Sequence, residues 1–320
     1  MDRTSPTISL VIPAYNRGHL IADTIDSALA QHPPFLEIIV VDDGSTDDTS
    51  AVLARYAGRI QLLGGPNAGV QRARNRGVAS ASGDFVAFCD SDDLLEAGYV
   101  ATMQGWLSAH PECNSIYSNF ATFDEHSVHA DKFSGAPAGF FDGARREGAF
   151  WCGMPDLYQR ILDFQLLFPS GNVIRRTLYN QLGGYDSRFN GVGAEDFEFA
   201  LRLVAAGGTA LCAEPLISIR RHGANDSTDN VRQVHGTIQI LEFALAHHPS
   251  ATRYQEAVLR SLEERRLDVF NGAFARGTFD LASQMLALLR HPPRDRKFRL
   301  KALITGLPAV LRQPLWRMTQ

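Results

Sequence analysis

The sequence predicts an α/β fold: a mainly parallel sheet covered by helices on both faces, with a helical extension at its C-terminal end. Two observations carry this expectation. Between Ile8 and Cys89, strand-like apolar runs alternate four times with helix-like periodic segments over short connections. From about Val231 onward the pattern keeps a period near 3.6. At 320 residues the chain exceeds one average domain. We expect one large domain over about 1–228, in halves of about 1–120 and 121–228, and a helical region over 229–320.

Taken in order, Ile8 to Pro13 is a short buried strand stopped by proline, and Ala14 to Gly18 a loop. His19 to Gln31 sets Leu20, Ile21, Ile25, Ala28 and Leu29 on one helical face. Glu37 to Val41 is a second strand, ended by an acidic run from Asp42 to Thr49 in which Ser45 or Thr46 suits the cap of a helix over 48–56. Ile60 to Leu63 is a third strand, leading through Gly64–Gly69 into a helix over 70–80. The fourth strand, Phe85 to Cys89, runs straight into Asp90-Ser91-Asp92-Asp93. A helix over 97–110 and a strand over 115–120 follow. Residues 124–150, rich in Gly, Ala, charge and Phe, have little period and read as a mobile lid or an insert. Regular structure returns over 164–176, then a short helix over 178–182 ends at Gly183-Gly184. An amphipathic helix opens at Glu195-Asp196, and Ala210 to His222 gives a closing strand and a basic turn. Residues 231–248 and 252–290 read as two or three helices with Gly277 as a stop.

Composition narrows the functional classes. The apolar fraction of 45% and charged fraction of 21% are ordinary for a globular protein. A net charge of −4 argues against non-specific nucleic-acid binding. Cys89, Cys113, Cys152 and Cys212 lack metal-like spacing and read as reduced thiols of a cytoplasmic protein. No signal-peptide pattern precedes the first strand, and no apolar run approaches ~18 residues.

Three carboxylates in four positions, Asp90, Asp92 and Asp93, would repel one another at a strand end. Such crowding suits a hard divalent cation, which takes one or two carboxylates plus the oxygens of a substrate phosphate. The plain alternative is a polar strand end capping the next helix. Pro13–Asn16, Asp42–Ser45, Asn67–Gly69 and Asp90–Asp93 all fall at the carboxyl edge of the expected sheet, where ligands bind in such folds.

Val-Ile-Pro-Ala-Tyr-Asn-Arg, Val-Val-Asp-Asp-Gly-Ser-Thr-Asp, Asn-Ala-Gly-Val-Gln-Arg-Ala-Arg-Asn-Arg-Gly and Phe-Cys-Asp-Ser-Asp-Asp, in that order, resemble the family 2 glycosyltransferases of GT-A fold. The resemblance covers about residues 5–225. It implies an inverting transfer of a sugar from a nucleotide-diphosphate donor, a UDP-sugar, to a hydroxyl of a glycan or lipid-linked acceptor, assisted by Mn²⁺ or Mg²⁺. Carried over by position, it implies that Pro13, Ala14, Tyr15 and Asn16 surround the base, and that Asp43, with Asp42 beside it, accepts from a uracil imide. Asn67 and Arg74 would reach the base or diphosphate, Asp90 and Ser91 the ribose and the surroundings of the metal. Asp92 would ligate the metal, with His222 completing that site. The bland readings stand beside these: a capping turn for Asp42 and Asp43, a solvated helix face for Arg74, Arg72 and Arg76, a loop brace for Asp93, and a surface position for His222.

A second cluster, Gly183-Gly184-Tyr185-Asp186 followed by Gly193-Ala194-Glu195-Asp196, also matches the family. The resemblance gives Asp196 the role of catalytic base and makes Glu195 the second candidate, while acids in a first helical turn equally suit the helix dipole. The tail over 294–317 interleaves Lys and Arg with Leu, Ile, Val and Trp, which suits an anionic membrane surface or a packing helix with a basic face. Peripheral attachment at the inner face of the membrane and homo-oligomer contacts through the C-terminal helices are both expectations. Two rival functions are weighed. A haloacid dehalogenase-like phosphatase would need a nucleophilic Asp where Val41 stands. A non-catalytic nucleotide-sugar or glycan binder would have no use for the Glu195-Asp196 pair.

Overall fold

The computed structural model describes residues 5–222 and 229–319. The chain separates into two compact units, Met1–Gly191 with Asp196–Asn225, and Val192–Glu195 with Asp226–Gln320.

The first unit is built on one mixed sheet. Strands β1 (Ile8–Ala14), β2 (Glu37–Asp42), β3 (Gln61–Gly64) and β4 (Phe85–Phe88) are parallel, in the spatial order β3-β2-β1-β4. Helices α1 (Ile21–Leu29), α2 (Thr49–Ala54) and α3 (Val70–Ser80) connect them. Every residue of β1 is buried, as a strand covered on both faces requires. Ile8, Leu10 and Ile12 pack with Ile21, Ile25 and Ala28 of α1. Val11 points to the other face, where Gly77 of α3 lies so close that a side chain there would collide with Val11.

Beyond β4 come a two-residue strand β5 (Leu94–Leu95), helix α4 (Tyr99–Ala109), strand β6 (Ser115–Phe123), the strands β7 (Arg145–Glu147) and β8 (Phe150–Cys152), and helix α5 (Leu157–Asp163). Strand β9 (Asn172–Arg175), helix α6 (Arg176–Gln181), helix α7 (Asp196–Ala206) and strand β10 (Thr209–Arg220) complete the unit. The sheet runs β3-β2-β1-β4-β9-β6-β10-β8-β7, with β5 on β10. Strand β9 is antiparallel between β4 and β6, whereas β10 runs parallel to β6.

Three elements differ from the sequence expectation. Leu94 and Leu95 pair with Ser218 and Ile217 of β10, so the following helix starts at Tyr99 and not at 97. Residues 124–150 are not structureless: β7 and β8 form a hairpin on β10, and Phe133, Phe140 and Phe150 are buried anchors. The helix after β2 is capped at Asp48, while the Asp47 carboxylate accepts the Thr49 N–H at 3.0 Å. All four cysteines are buried and unpaired.

The second unit is helical: α8 (Asn230–His247), α9 (Pro249–Arg253), α10 (Gln255–Arg276), α11 (Phe279–Leu288), α12 (Arg296–Gly306) and α13 (Ala309–Arg317). Gly277 takes the left-handed conformation (φ 70°) that ends α10. Among the described residues, no helix is long and apolar enough to cross a membrane.

Candidate active site

The tips of the parallel strands place the expected residues on one edge. Ala14 is in register with Asp42, and Asp42 with Gly64, so the β1 and β2 loops leave the sheet side by side. Asn16 joins these loops: its N–H donates to Ser45 Oγ (2.9 Å), and its Oδ1 accepts the Thr46 N–H (2.8 Å). It does so at φ 54°, a conformation Asn tolerates better than most residues. Asp42 is the turn former, with Oδ1 accepting the Ser45 N–H and Oδ2 the Ser50 hydroxyl. Asp43 reaches in the other direction. Its two carboxylate oxygens accept the N–H groups of Ala68 (3.0 Å) and Gly69 (2.7 Å), which draws the loop before α3 against β2. Each oxygen keeps acceptor capacity beyond one N–H. The Tyr15 ring is 44% exposed beside them, and Asn67 is exposed on the tethered loop.

Arg74 does not lie on a solvated face. It is 3% exposed, its Nη2 bonds Asp90 Oδ1 at 2.6 Å, and its guanidinium sits 5.2 Å from the Tyr185 ring centre. Arg76, by contrast, bonds the Gly64 carbonyl from an exposed position. Between these arginines, Asn75 clamps the Gly183-Gly184-Tyr185 turn. Its Oδ1 accepts the Tyr179 hydroxyl (2.6 Å) and the Tyr185 N–H (2.9 Å), and its Nδ2 donates to the Tyr185 carbonyl (2.8 Å). Burial pushes the Tyr185 hydroxyl well above its ordinary pKa; Arg74 opposes this, while Asp196 and Asp90 add to it.

The acidic turn after β4 divides its labour. Asp93 is buried, with Oδ2 accepting the Ser170 hydroxyl (2.5 Å) and Oδ1 the Arg220 N–H (3.1 Å). Burial raises its pKa well above the carboxylate range, with Asp90 and then Asp92 contributing. It is the loop brace. Asp92 Oδ2 lies 3.0 Å from His222 Nε2 and 3.3 Å from Arg17 Nε. Arg220 holds the turn from outside, bonding the Asp92 carbonyl (3.1 Å) and Asp23 (2.9 Å). Ser91 is buried in the turn.

Asp196 is the first residue of α7, and burial raises the pKa of the Tyr117 hydroxyl, with a smaller contribution from the Asp196 charge. The helix is anchored by buried Glu198 and half-buried Arg202. Glu198 binds Arg202 (2.5 Å), and Arg202 also donates to the carbonyls of Leu182 (2.5 Å) and Gly184 (2.8 Å). Glu195 groups with the second unit and is half-buried. Gln71, unremarked in the sequence, is fully buried on α3, and neither amide atom has a hydrogen-bond partner among the described residues. Its only signal was its place between Gly69 and Arg74. Among the described residues, no three His, Cys, Asp or Glu side chains group as a metal cage. One carboxylate with one imidazole, Asp92 and His222, nevertheless fits an ion that draws its other ligands from phosphate and water.

Residues 9–148 match the model for glycosyl transferase family 2. A glycosyltransferase of Bacillus subtilis, TuaG, named as putative in teichuronic acid biosynthesis, is 31% identical over 48% of this chain and 62% of its own length. An uncharacterized glycosyltransferase of Rickettsia conorii is 38% identical over 40% of this chain. The chain spans 22% of that relative's length. The crystal structure of residues 1–349 of Staphylococcus aureus TarS with UDP-GlcNAc superposes with a TM-score of 0.65 at 17% identity, covering 98% of this chain and 92% of that one. At that identity the likeness shows the GT-A fold.

Proposed function

We propose that this chain, whose residues 9–148 match the model for glycosyl transferase family 2, transfers a sugar from a UDP-sugar to a hydroxyl of a glycan or lipid-linked acceptor, with inversion. The observation that carries the reading is the convergence of Asp43, Asp92 and the Arg74–Asp90 pair at the carboxyl edge of the parallel strands, with the Tyr185 ring against Arg74. Asp43 and Tyr15 would take the base. Buried Arg74 and half-buried Asp90 form a charge pair that would lie beside the ribose and diphosphate. TarS binds UDP-GlcNAc in its crystal structure, and TuaG is named for teichuronic acid biosynthesis; both support a UDP-sugar donor and a glycan-building reaction.

The chemical difficulty is charge. The bond between the anomeric carbon and the diphosphate breaks with its electron pair, and the carbon becomes cation-like as the acceptor oxygen bonds to it. Asp196 receives the acceptor's proton, a contribution of roughly 10²–10⁴-fold. With one base and no enzyme nucleophile, attack comes from the face opposite the leaving group. Asp92 and His222 would hold a Mn²⁺ or Mg²⁺, which when bound supplies Lewis-acid neutralisation of the leaving diphosphate.

A thermal-shift screen of nucleotide sugars, with Mn²⁺ and then with a chelator, tests the reading. A ligand at a hundred times its Kd stabilises a fold by about 2.7 kcal/mol. We expect a UDP-sugar to raise the melting temperature with metal and to lose most of the effect with chelator. Failure of every nucleotide sugar under both conditions would overturn the proposal.

A further inference from the structure

Charge is distributed unevenly along this chain. The residues after 289 carry eight Lys and Arg against the single Asp295, whereas the preceding 289 residues carry 23 against 34. In the second unit this basic segment folds as α12 and α13, and both turn apolar side chains outward. On α12, Phe298 and Thr305 are buried, while Leu300 and Leu303 (64% exposed) share the opposite face with Arg296 and Arg299. Helix α13 has no buried residue. Its inward side is Arg312, 4.3 Å from the Phe279 ring centre, and Trp316, whose indole N–H donates to the Phe274 carbonyl at 2.7 Å. Its outward side is Val310 (84% exposed), Leu311 and Leu315, continued by Met318 (83%). At the head of α12, Arg290, Arg294 and Arg299 line an open basin of about 620 Å³ with Phe298 as part of its wall.

We propose that this face is a peripheral membrane-docking surface for anionic phospholipid. Exposed Leu, Val and Met would enter the interfacial region, and the surrounding cations would meet lipid phosphates. The arginine-lined basin is the place for a headgroup phosphate. Charge decides against a second copy as occupant: a two-fold contact would bring this surplus of cations against itself. The inference is independent of the donor chemistry proposed above.

The test is flotation of the full chain with vesicles of phosphatidylcholine alone and of equal parts phosphatidylcholine and phosphatidylglycerol. We expect binding only to the anionic vesicles, weakened by salt and not displaced by inorganic phosphate. Arg296→Glu with Arg299→Glu should weaken it by about thirtyfold or more, and Leu303→Asp with Leu311→Asp should also reduce it. The melting temperature and nucleotide-sugar shift of both variants should match wild type, since these side chains face solvent. Equal binding to neutral and anionic vesicles, no binding to either, or binding unchanged in the charge-reversed variant would overturn the proposal. So would concentration-dependent dimerisation that Leu303→Asp with Leu311→Asp abolishes while vesicle binding stays intact.

Discussion

Asp92 and Asp93 are neighbours with opposite circumstances, and the difference comes from where their partners are. Asp93 turns inward to the Ser170 hydroxyl and the Arg220 N–H. Asp92 turns to Arg17 and His222 at the strand edge. Gln71 makes a sharper point. A buried amide with neither atom satisfied costs about 1–3 kcal/mol, and such groups call for a functional or ligand-based explanation. If the donor completes it, Gln71→Leu should keep or raise the melting temperature of the free protein and weaken donor binding at least severalfold. Calorimetric titration beside a melting curve checks both halves. A variant that loses stability and keeps donor affinity would make Gln71 a packing residue only.

At the scale of elements, α3 is the piece on which the site is assembled. Its Gly77 lets it approach β1, Asn75 clamps the Tyr185 turn, and Arg74 reaches Asp90. Gly77→Ala should drive the helix from Val11 at a cost of about 1–3 kcal/mol, read as a lower melting temperature together with weaker donor binding. Stability unchanged from wild type would show that α3 can shift without strain. This helix was legible from the sequence, and the expected bounds 70–80 agree with the observed Val70–Ser80. So were the four parallel strands, whose apolar runs are long enough to register. The hairpin β7–β8 and strand β5 were not, because two or three residues are too short for an alternating pattern to appear. They are held by pairing with β10, a contact distant in sequence. The partner of Asp43 was hidden for a related reason: it is the backbone of Ala68 and Gly69, and N–H groups carry no residue signature. In the tail the surplus of cations was readable, but not which side faces outward. Trp316 turns in while Leu311 and Leu315, on the same helix, turn out.

For the whole molecule, Asp43, Asp92 and Asp196 lie in the first unit and the cationic surface in the second, so substitutions at one leave the residues of the other unchanged. Within the first unit, Asp90 and Asp196 are 106 positions apart in sequence, one after β4 and one opening α7. If Asp196 is the base and no part of the donor pocket, substituting it should separate binding from turnover. The most direct measurement is nucleotide release by Asp196→Asn, with donor affinity titrated on the same preparation and Asp92→Ala carried as the variant that should lose both. The expected result is turnover reduced by roughly 10²–10⁴-fold with donor affinity retained. Wild-type turnover in Asp196→Asn, or turnover and donor binding lost together, would contradict it.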